Sequence, residues 1–517
     1  MIRFILFNPV LIRELLMGLR STKLRWFLAV YGLVPFVAIA WVWPSGARFY
    51  GGEHAATVWA FFLIAQFFMV PILAPTLGAY TVSEEFENRT IEGVWLTLIP
   101  PWVTIFSKIL SLILMGLIIQ TASLPALSLV FYLGGVEPAA VIRGFAAVFL
   151  LTLFAMSLAA FFSAYTRRGH LALAMTYLSF PILMGITAMF SFAFSLRTGV
   201  WGVLSLLNPV ILAEFMLNPS PFLAIIDTSG WLMRAAIGAG MWMLLFGYCT
   251  MVVARRPIGE TVRKNVKPID DPERLRQRRY SWPFYIVDPM RRIPPFEDGR
   301  NLVAQTEPWV HPFHRSAWSY RFMYPMWFFG ILLFFPLFGM GDFAFVWYIQ
   351  LAIAGLCVVC VNAVSITMDR QTMMLAGLRA TLLRPGEYLA GKWLACWKMR
   401  RPIILSAIVP MAIGWLLGNL PGVNGPLAIA GWMVSLELIG LFTFAISVFC
   451  SKSGSAMALS TLGMMVFLYI HGVAVFSMQT FLLMCFLALI AAVVAAGILI
   501  WGTRRMWREE IGPARTL

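Results

Sequence analysis

Charge is what this sequence has little of. Of its 517 residues only 12% are Asp, Glu, Lys or Arg, against 60% drawn from the apolar set AVILMFWYC, and the mean hydropathy is +0.82. One soluble core cannot bury that much apolar surface, so a soluble enzyme and a disordered chain are both excluded. Histidine is almost absent, with five in the whole chain, and no HExxH, nucleophile elbow or Ser/His/Asp set occurs. Nor is there a GxxxxGK[ST] loop to cradle a nucleotide phosphate. The chain is therefore expected to be no enzyme, to hydrolyse no ATP and to carry no metal or other cofactor. The six cysteines, Cys249, Cys357, Cys360, Cys396, Cys450 and Cys485, all fall in or beside apolar segments. Cys357 and Cys360 have CxxC spacing, but on an apolar helix that spacing reads as packing rather than redox chemistry.

What the sequence does have is long apolar runs. A bilayer crossing takes roughly 20 apolar residues, and stretches such as Trp26 to Trp43 are continuously apolar. Barrel strands alternate over about 10 residues, which rules a β-barrel out. Helices satisfy their own backbone groups in lipid. The expected fold is an all-α polytopic membrane protein with about 12 transmembrane helices, at residues 26–44, 56–80, 109–132, 142–165, 171–195, 233–254, 325–340, 343–366, 401–418, 426–449, 455–476 and 480–502. The seventh and ninth are short and carry Pro336 and Pro410, so tilts or breaks are expected there.

The net charge of +16 reports topology rather than a nucleic-acid partner. With Arg48, Arg143, Arg197 and Arg234 on one face, 35 of the 39 Lys and Arg fall on the other, which the positive-inside rule makes cytoplasmic. Both termini are then cytoplasmic, and the protein is expected in the inner (plasma) membrane. No cleavable leader is expected, since the chain opens on an Arg-bearing amphipathic stretch. Residues 255–324 form a basic, proline-rich linker with 14 Lys/Arg against 8 Asp/Glu, read as extended and cytoplasmic. Residues 196–232 are the one substantial external loop, with apolar pieces suited to the outer interface.

Two segments look alike. SEEFENRTIEGVWLTLIPPWVTIFSKIL follows the second span, and TMDRQTMMLAGLRATLLRPGEYLAGKWL follows the eighth. Setting Glu87 on Asp369 and Thr90 on Thr372 requires a two-residue insertion before Pro385. From there an offset of 284 pairs Pro101 with Pro385, Lys108 with Lys392, Ser163 with Ser447 and Arg168 with Lys452. A single register over so long a stretch points to two parallel six-helix repeats. The expected domains are residues 1–254 and 325–517, joined by the linker. At the start of the second half, Asn8 through Glu14 can be laid on Asn301 through Glu307 or on His311-Pro312.

Apolar residues Ile91, Val94, Trp95 and Leu98 against Glu85, Asn88 and Glu92 make residues 84–98 an amphipathic surface helix, with Glu85 and Arg89 as an i, i+4 pair. It reads either as a loop anchor or as a docking element for a cytoplasmic partner, and its duplication favours docking at two equivalent places. Asn8, Pro9 and the stripe Ile12, Leu15, Leu16 and Leu19 against Arg13, Arg20 and Lys23 form a second amphipathic helix, lying in the inner interface. Glu437 stands near the middle of its span, where a charge is costly. It is therefore neutral, paired or facing water, and a candidate for the pathway or its gating. Its offset partner is Leu153. Gln66, Gln120, Gln350 and Asn362 read as interhelical hydrogen-bonding residues.

The order of these features resembles the permease subunits of type-2 ABC exporters. They are an NP-V helix with an Arg13-Glu14 pair, two spans, an acidic segment from Glu84 to Thr90, a proline with a lysine seven residues later, Gly134-Gly135, and a basic turn after the fourth span. Asp288 to Pro295, DPMRRIPP, is similar to linkers of fused members. The resemblance implies that Glu84, Glu85, Glu87, Arg89 and Thr90, and in the second half Asp369, Arg370 and Thr372, meet a separate cytoplasmic ATPase subunit, two copies per chain. It implies Arg13, Glu14, Arg20 and Lys23 as the interfacial helix. Asp369-Arg370-Gln371 departs from the glutamate usual there, which implies a weaker or structural contact. Two other readings stand beside this one. An ion-coupled secondary transporter shares the layout but would carry a basic loop where SEEFENRT stands, and a permease-like scaffold would transport nothing.

Overall fold

The computed structural model describes residues 9–42, 52–88, 90–91, 93, 100–133, 138–193, 231–254, 301–311, 343–371, 374–379, 383–416 and 425–474, with single positions at 273, 280, 493, 497 and 501. Every regular element among them is a helix. The expected spans at 325–340 and 480–502, the external loop and most of the linker lie outside the described residues. Among the described residues five stretches are long and apolar enough to cross a membrane: Ala65–Glu87, Trp102–Tyr132, Gly144–Thr166, Leu351–Gln371 and Gly431–Phe449. The protein is all-helical and built for a membrane.

The chain divides into two compact units, Met1–Arg256 and Pro257–Leu517. In the first, α1 (Pro9–Arg20) turns at Ser21 into α2 (Thr22–Val42), followed by α3 (Gly52–Gly78), the short α4 (Ser83–Glu87), α5 (Pro101–Thr121), α6 (Leu124–Leu133), α7 (Pro138–Thr166), α8 (Gly169–Ala193) and α9 (Trp231–Ala254). The hub is α7, against which α3, α8 and α9 all pack. Small residues make that possible: Ala155, Ala159, Ala160 and Ala164 are all buried along it, and small side chains let helix backbones approach closely in lipid. The third span, expected as one helix, is interrupted between α5 and α6. Pro125 has no N–H for the carbonyl four residues back, and the chain closes the gap with tight bonds from Ala122 and Ser123 to the carbonyls of Ile119 and Gln120.

In the second unit, α10 (Leu302–Val310) precedes α11 (Phe343–Gln371), α12 (Met374–Arg379), α13 (Pro385–Leu416), α14 (Gly425–Phe449) and α15 (Ser453–Ala474). Here α11 is the hub, in contact with α13, α14 and α15, while α10 lies along α13 as α1 lies along α5. The helix that carries the expected ninth span, 401–418, extends well before it. It begins at Pro385, where a first-turn proline lacks only an N–H that would have no helical partner, and it continues past Pro402 and past Pro410, where a break was expected.

Candidate functional site

Lys108 is the one charged residue of α5, and its side chain is only 2% exposed. A buried ammonium has to be paired. It donates to Glu14 Oε1 of α1 at 3.0 Å and to the carbonyl of Thr81 at 2.9 Å, and lies 3.0 Å from Glu85 Oε1 of α4. Arg13, 45% exposed, closes the group from outside, its Nη2 lying 2.7 Å from both Glu14 Oε1 and Glu85 Oε1. Two cations face two carboxylates. Burial pushes the Glu14 carboxyl up, but Lys108 and Arg13 outweigh it and hold the group below the usual carboxylate range. One joint thus ties the interfacial helix, the segment after α3 and the start of α5.

The second unit builds the same joint on α13. Lys392 Nζ contacts Glu307 Oε2 of α10 at 2.5 Å, Asp369 Oδ2 of α11 at 2.8 Å and the carbonyl of Ser365 at 3.3 Å. In each unit the lysine follows the donated carbonyl by 27 residues and the second carboxylate by 23. Asn301 caps α10 by accepting from the N–H groups of Val303 and Ala304. Its amide also donates to the carbonyl of Glu387, an approach to α13 that Gly391 leaves room for. Of the two ways of laying the N-terminal helix on the second half, this geometry selects Asn301 through Glu307.

The charges differ. Where Arg13 lies against both carboxylates of the first joint, the Tyr388 hydroxyl of the second donates to Asp369 Oδ2 at 2.7 Å. Two carboxylates share one ammonium, and a second buried negative charge is hard to hold. Burial and the neighbouring Asp369 together raise the Glu307 carboxyl above its ordinary value despite Lys392.

A third pairing completes the comparison. Glu87 Oε1 accepts from the N–H of Gly169, opening α8, at 2.8 Å, and Gln371 Oε1 accepts from Ser453 Oγ, opening α15, at 3.1 Å; both partners lie 82 residues downstream. This corrects the sequence pairing: Asp369 stands with Glu85 and Gln371 with Glu87, and the offset of 284 needs no insertion before Pro385. The glutamate missing at Asp369-Arg370-Gln371 is an aspartate holding its lysine and a glutamine holding its helix terminus.

The predicted site residues separate accordingly. Glu85, expected on the open polar face and paired with Arg89, is buried between Lys108 and Arg13. Short side-chain reach from α4 into the unit wins over its place in the amphipathic pattern. Glu84 is exposed. Thr90 is exposed and its hydroxyl only reaches the Glu85 carbonyl at 3.5 Å. Arg370 donates to the carbonyl of Cys450 at 2.9 Å. Arg20 ends α1 exposed, with Ile12, Leu16 and Leu19 exposed beside it; Lys23 lies in α2 with its side chain outside the description. Arg89 and Thr372 lie outside the described residues.

Glu437 is paired. Its Oε2 takes Nη2 of Arg400, a fully buried residue of α13 whose guanidinium stacks on Trp393 at 4.3 Å. Among the described residues Nε and Nη1 of Arg400 and Oδ1 of Asn362 have no hydrogen-bond partner, while the Asn362 amide donates to the Gly440 carbonyl at 3.0 Å. A side chain at Gly440 would collide with the guanidinium. At the offset of 284 the first unit has Gly78, Gly116, Leu153 and Met156 where the second has Asn362, Arg400, Glu437 and Gly440, and Met156 lies against Gly116 and Gly78. One unit fills this place with methionine against glycine, the other with an ion pair. Glu437 stands out in the sequence and Arg400 does not; its one signal there is a cation at the position where the first half has Gly116.

Among the described residues no group of three or more His, Cys, Asp and Glu is placed to hold a metal, and Cys357 and Cys360 are free thiols. The arrangement offers joints between helices. No family model matches the chain, and no curated protein matches it.

Proposed function

We propose that this chain is the membrane permease subunit of an ATP-driven exporter of the type-2 ABC class, made of two parallel six-helix repeats with about twelve spans and both termini in the cytoplasm. It works with two copies of a separate cytoplasmic ATPase. The observation that carries this reading is the lysine joint built twice, with the same 23- and 27-residue intervals and the same helix-end contact 82 residues on. A transporter driven from one side needs a place in each half where a push on a surface segment reaches the spans.

The joint supplies that place. Glu84 is open to a partner while the adjoining Glu85 is locked to Lys108, so displacement of α4 pulls on α5 and, through Glu14, on α1. Breaking such a buried pair by removing one partner costs roughly 3–5 kcal/mol, enough to move the segment and its helices as one body. Alternating closure of the ATPase subunits would then rock the halves. The chain supplies two conformations and the partner the bias between them.

The test is co-purification of the chain with the ATPase encoded beside it, followed by hydrolysis and export assays in proteoliposomes. The chain is expected to bring down two ATPase copies per molecule. Glu84→Arg should weaken that association, and Lys108→Met should leave association intact while hydrolysis no longer drives export. Export that survives ATP depletion and collapses with the proton gradient would overturn the reading in favour of an ion-coupled carrier.

A further inference from the structure

Helix α13 is 32 residues long, which at 1.5 Å per residue is about 48 Å, well beyond the roughly 30 Å of a hydrocarbon core. Some twenty residues counted back from Leu416 reach about Trp397. The inner boundary of the hydrocarbon therefore falls on the stretch Trp397 to Arg401, and what that stretch exposes is unusual for a span. Lys398 and Arg401, three apart and so neighbours on one face, are both exposed. The Arg401 guanidinium lies over the Trp397 ring at 3.2 Å. Exposed leucines flank the pair on both sides, Leu394 at 43% on the cytoplasmic side and Leu405 at 60% on the other. The cations thus sit inside an apolar stripe and are not simply its solvated end.

Neither cation has a carboxylate partner among the described residues. The carboxylate that α14 brings to α13, Glu437, is already taken by Arg400 behind them. At the same places on α5 the first unit has Leu114 and Leu117, so a span of this kind does not need the charges to cross the bilayer. Positive-inside topology does not need them either, since cations at the turn Arg167-Arg168 and at Lys452 already mark that side.

We propose that the face Leu394, Trp397, Lys398, Arg401 and Leu405 is a binding site for one anionic phospholipid of the inner leaflet. The phosphate and any further headgroup charge lie between Lys398 and Arg401, the headgroup rests against the aromatic ring at the interfacial level, and the acyl chains follow the leucine stripe. Charge complementarity selects the occupant: two unpaired cations at headgroup depth attract an anionic lipid over a zwitterionic one.

Native mass spectrometry of the detergent-solubilised full chain, titrated with phosphatidylglycerol or with phosphatidylcholine, tests this. Phosphatidylglycerol should bind more tightly, and Lys398→Gln with Arg401→Gln should cost about tenfold or more in its affinity, since each cation near the surface is worth roughly a factor of five. The swap Lys398→Arg with Arg401→Lys, which keeps both charges, should retain binding, separating charge from misfolding. Equal binding of the two lipids would overturn the site, as would the same loss from Arg168→Gln with Lys452→Gln, because either result would mean diffuse charge attraction. Full competition by water-soluble glycerol phosphate would overturn the lipid as occupant.

Discussion

At the scale of single residues, the two lysine joints differ in how well they survive the loss of one member. Lys108→Met leaves Arg13 to face Glu14 and Glu85, whereas Lys392→Met removes the ammonium that Glu307 and Asp369 share and leaves Asp369 its bond from the Tyr388 hydroxyl. Removing one partner of a buried pair costs roughly 3–5 kcal/mol, and the second case should sit at the upper end. Lys392→Met is therefore expected to lower the melting temperature further than Lys108→Met. Adding Asp369→Asn and Glu307→Gln should recover part of the loss, because the carboxylates left behind are the source of the cost. Gly440 makes a separate prediction. Its missing side chain is the space occupied by the Arg400 guanidinium, so Gly440→Ala overpacks the site at roughly 1–3 kcal/mol. Gly386→Ala, at a helix position with nothing within 4 Å, should be neutral or stabilising by roughly 0.4–1 kcal/mol. Thermal melting of the two variants side by side gives the order.

At the scale of elements, α1 and α10 are docked by the same kind of contact but should respond to acid in opposite ways. Glu14 has a folded-state pKa below the usual 4.5, so the unfolded state binds more protons in that window. Its contribution is complete above 4.5 and is lost as the pH falls through the folded value. Glu307 has a folded-state pKa above 4.5, so its contribution is complete below 4.5 and declines as the pH rises through the folded value. Amide hydrogen exchange read separately for Pro9–Arg20 and Leu302–Val310, corrected for the intrinsic pH dependence, should show protection of the first falling on acidification while that of the second rises. Parallel changes in both helices would contradict the charge balance assigned to the two joints. The difference comes from Lys108 and Arg13 around Glu14 on one side, and from burial and the neighbouring Asp369 around Glu307 on the other.

At the scale of the whole molecule, composition and run length were enough to read helices and a membrane, because apolar content and period are properties of many residues at once. What the sequence hid was which acid meets which lysine. Glu85 and Glu87 are two residues apart and chemically alike, so spacing alone allowed Asp369 to be set against either, and only the reach of side chains from a five-residue helix decides. Arg400 was hidden differently, since a cation beside Arg401 reads as the end of a span until the helix is seen to start sixteen residues earlier than the expected one. Each unit has its own hub, α7 in one and α11 in the other, and each joint is closed by residues of a single unit. The units should accordingly hold their folds without a continuous backbone between them. A protease site engineered after Arg256, cut in the purified full-length protein, is expected to leave the helical circular-dichroism signal unchanged. It should also leave the protection of both lysine joints against hydrogen exchange as it was. Collapse of either joint on cleavage would mean that the linker carries part of the folding free energy assigned here to the hubs, and the division at Arg256 would have to be redrawn.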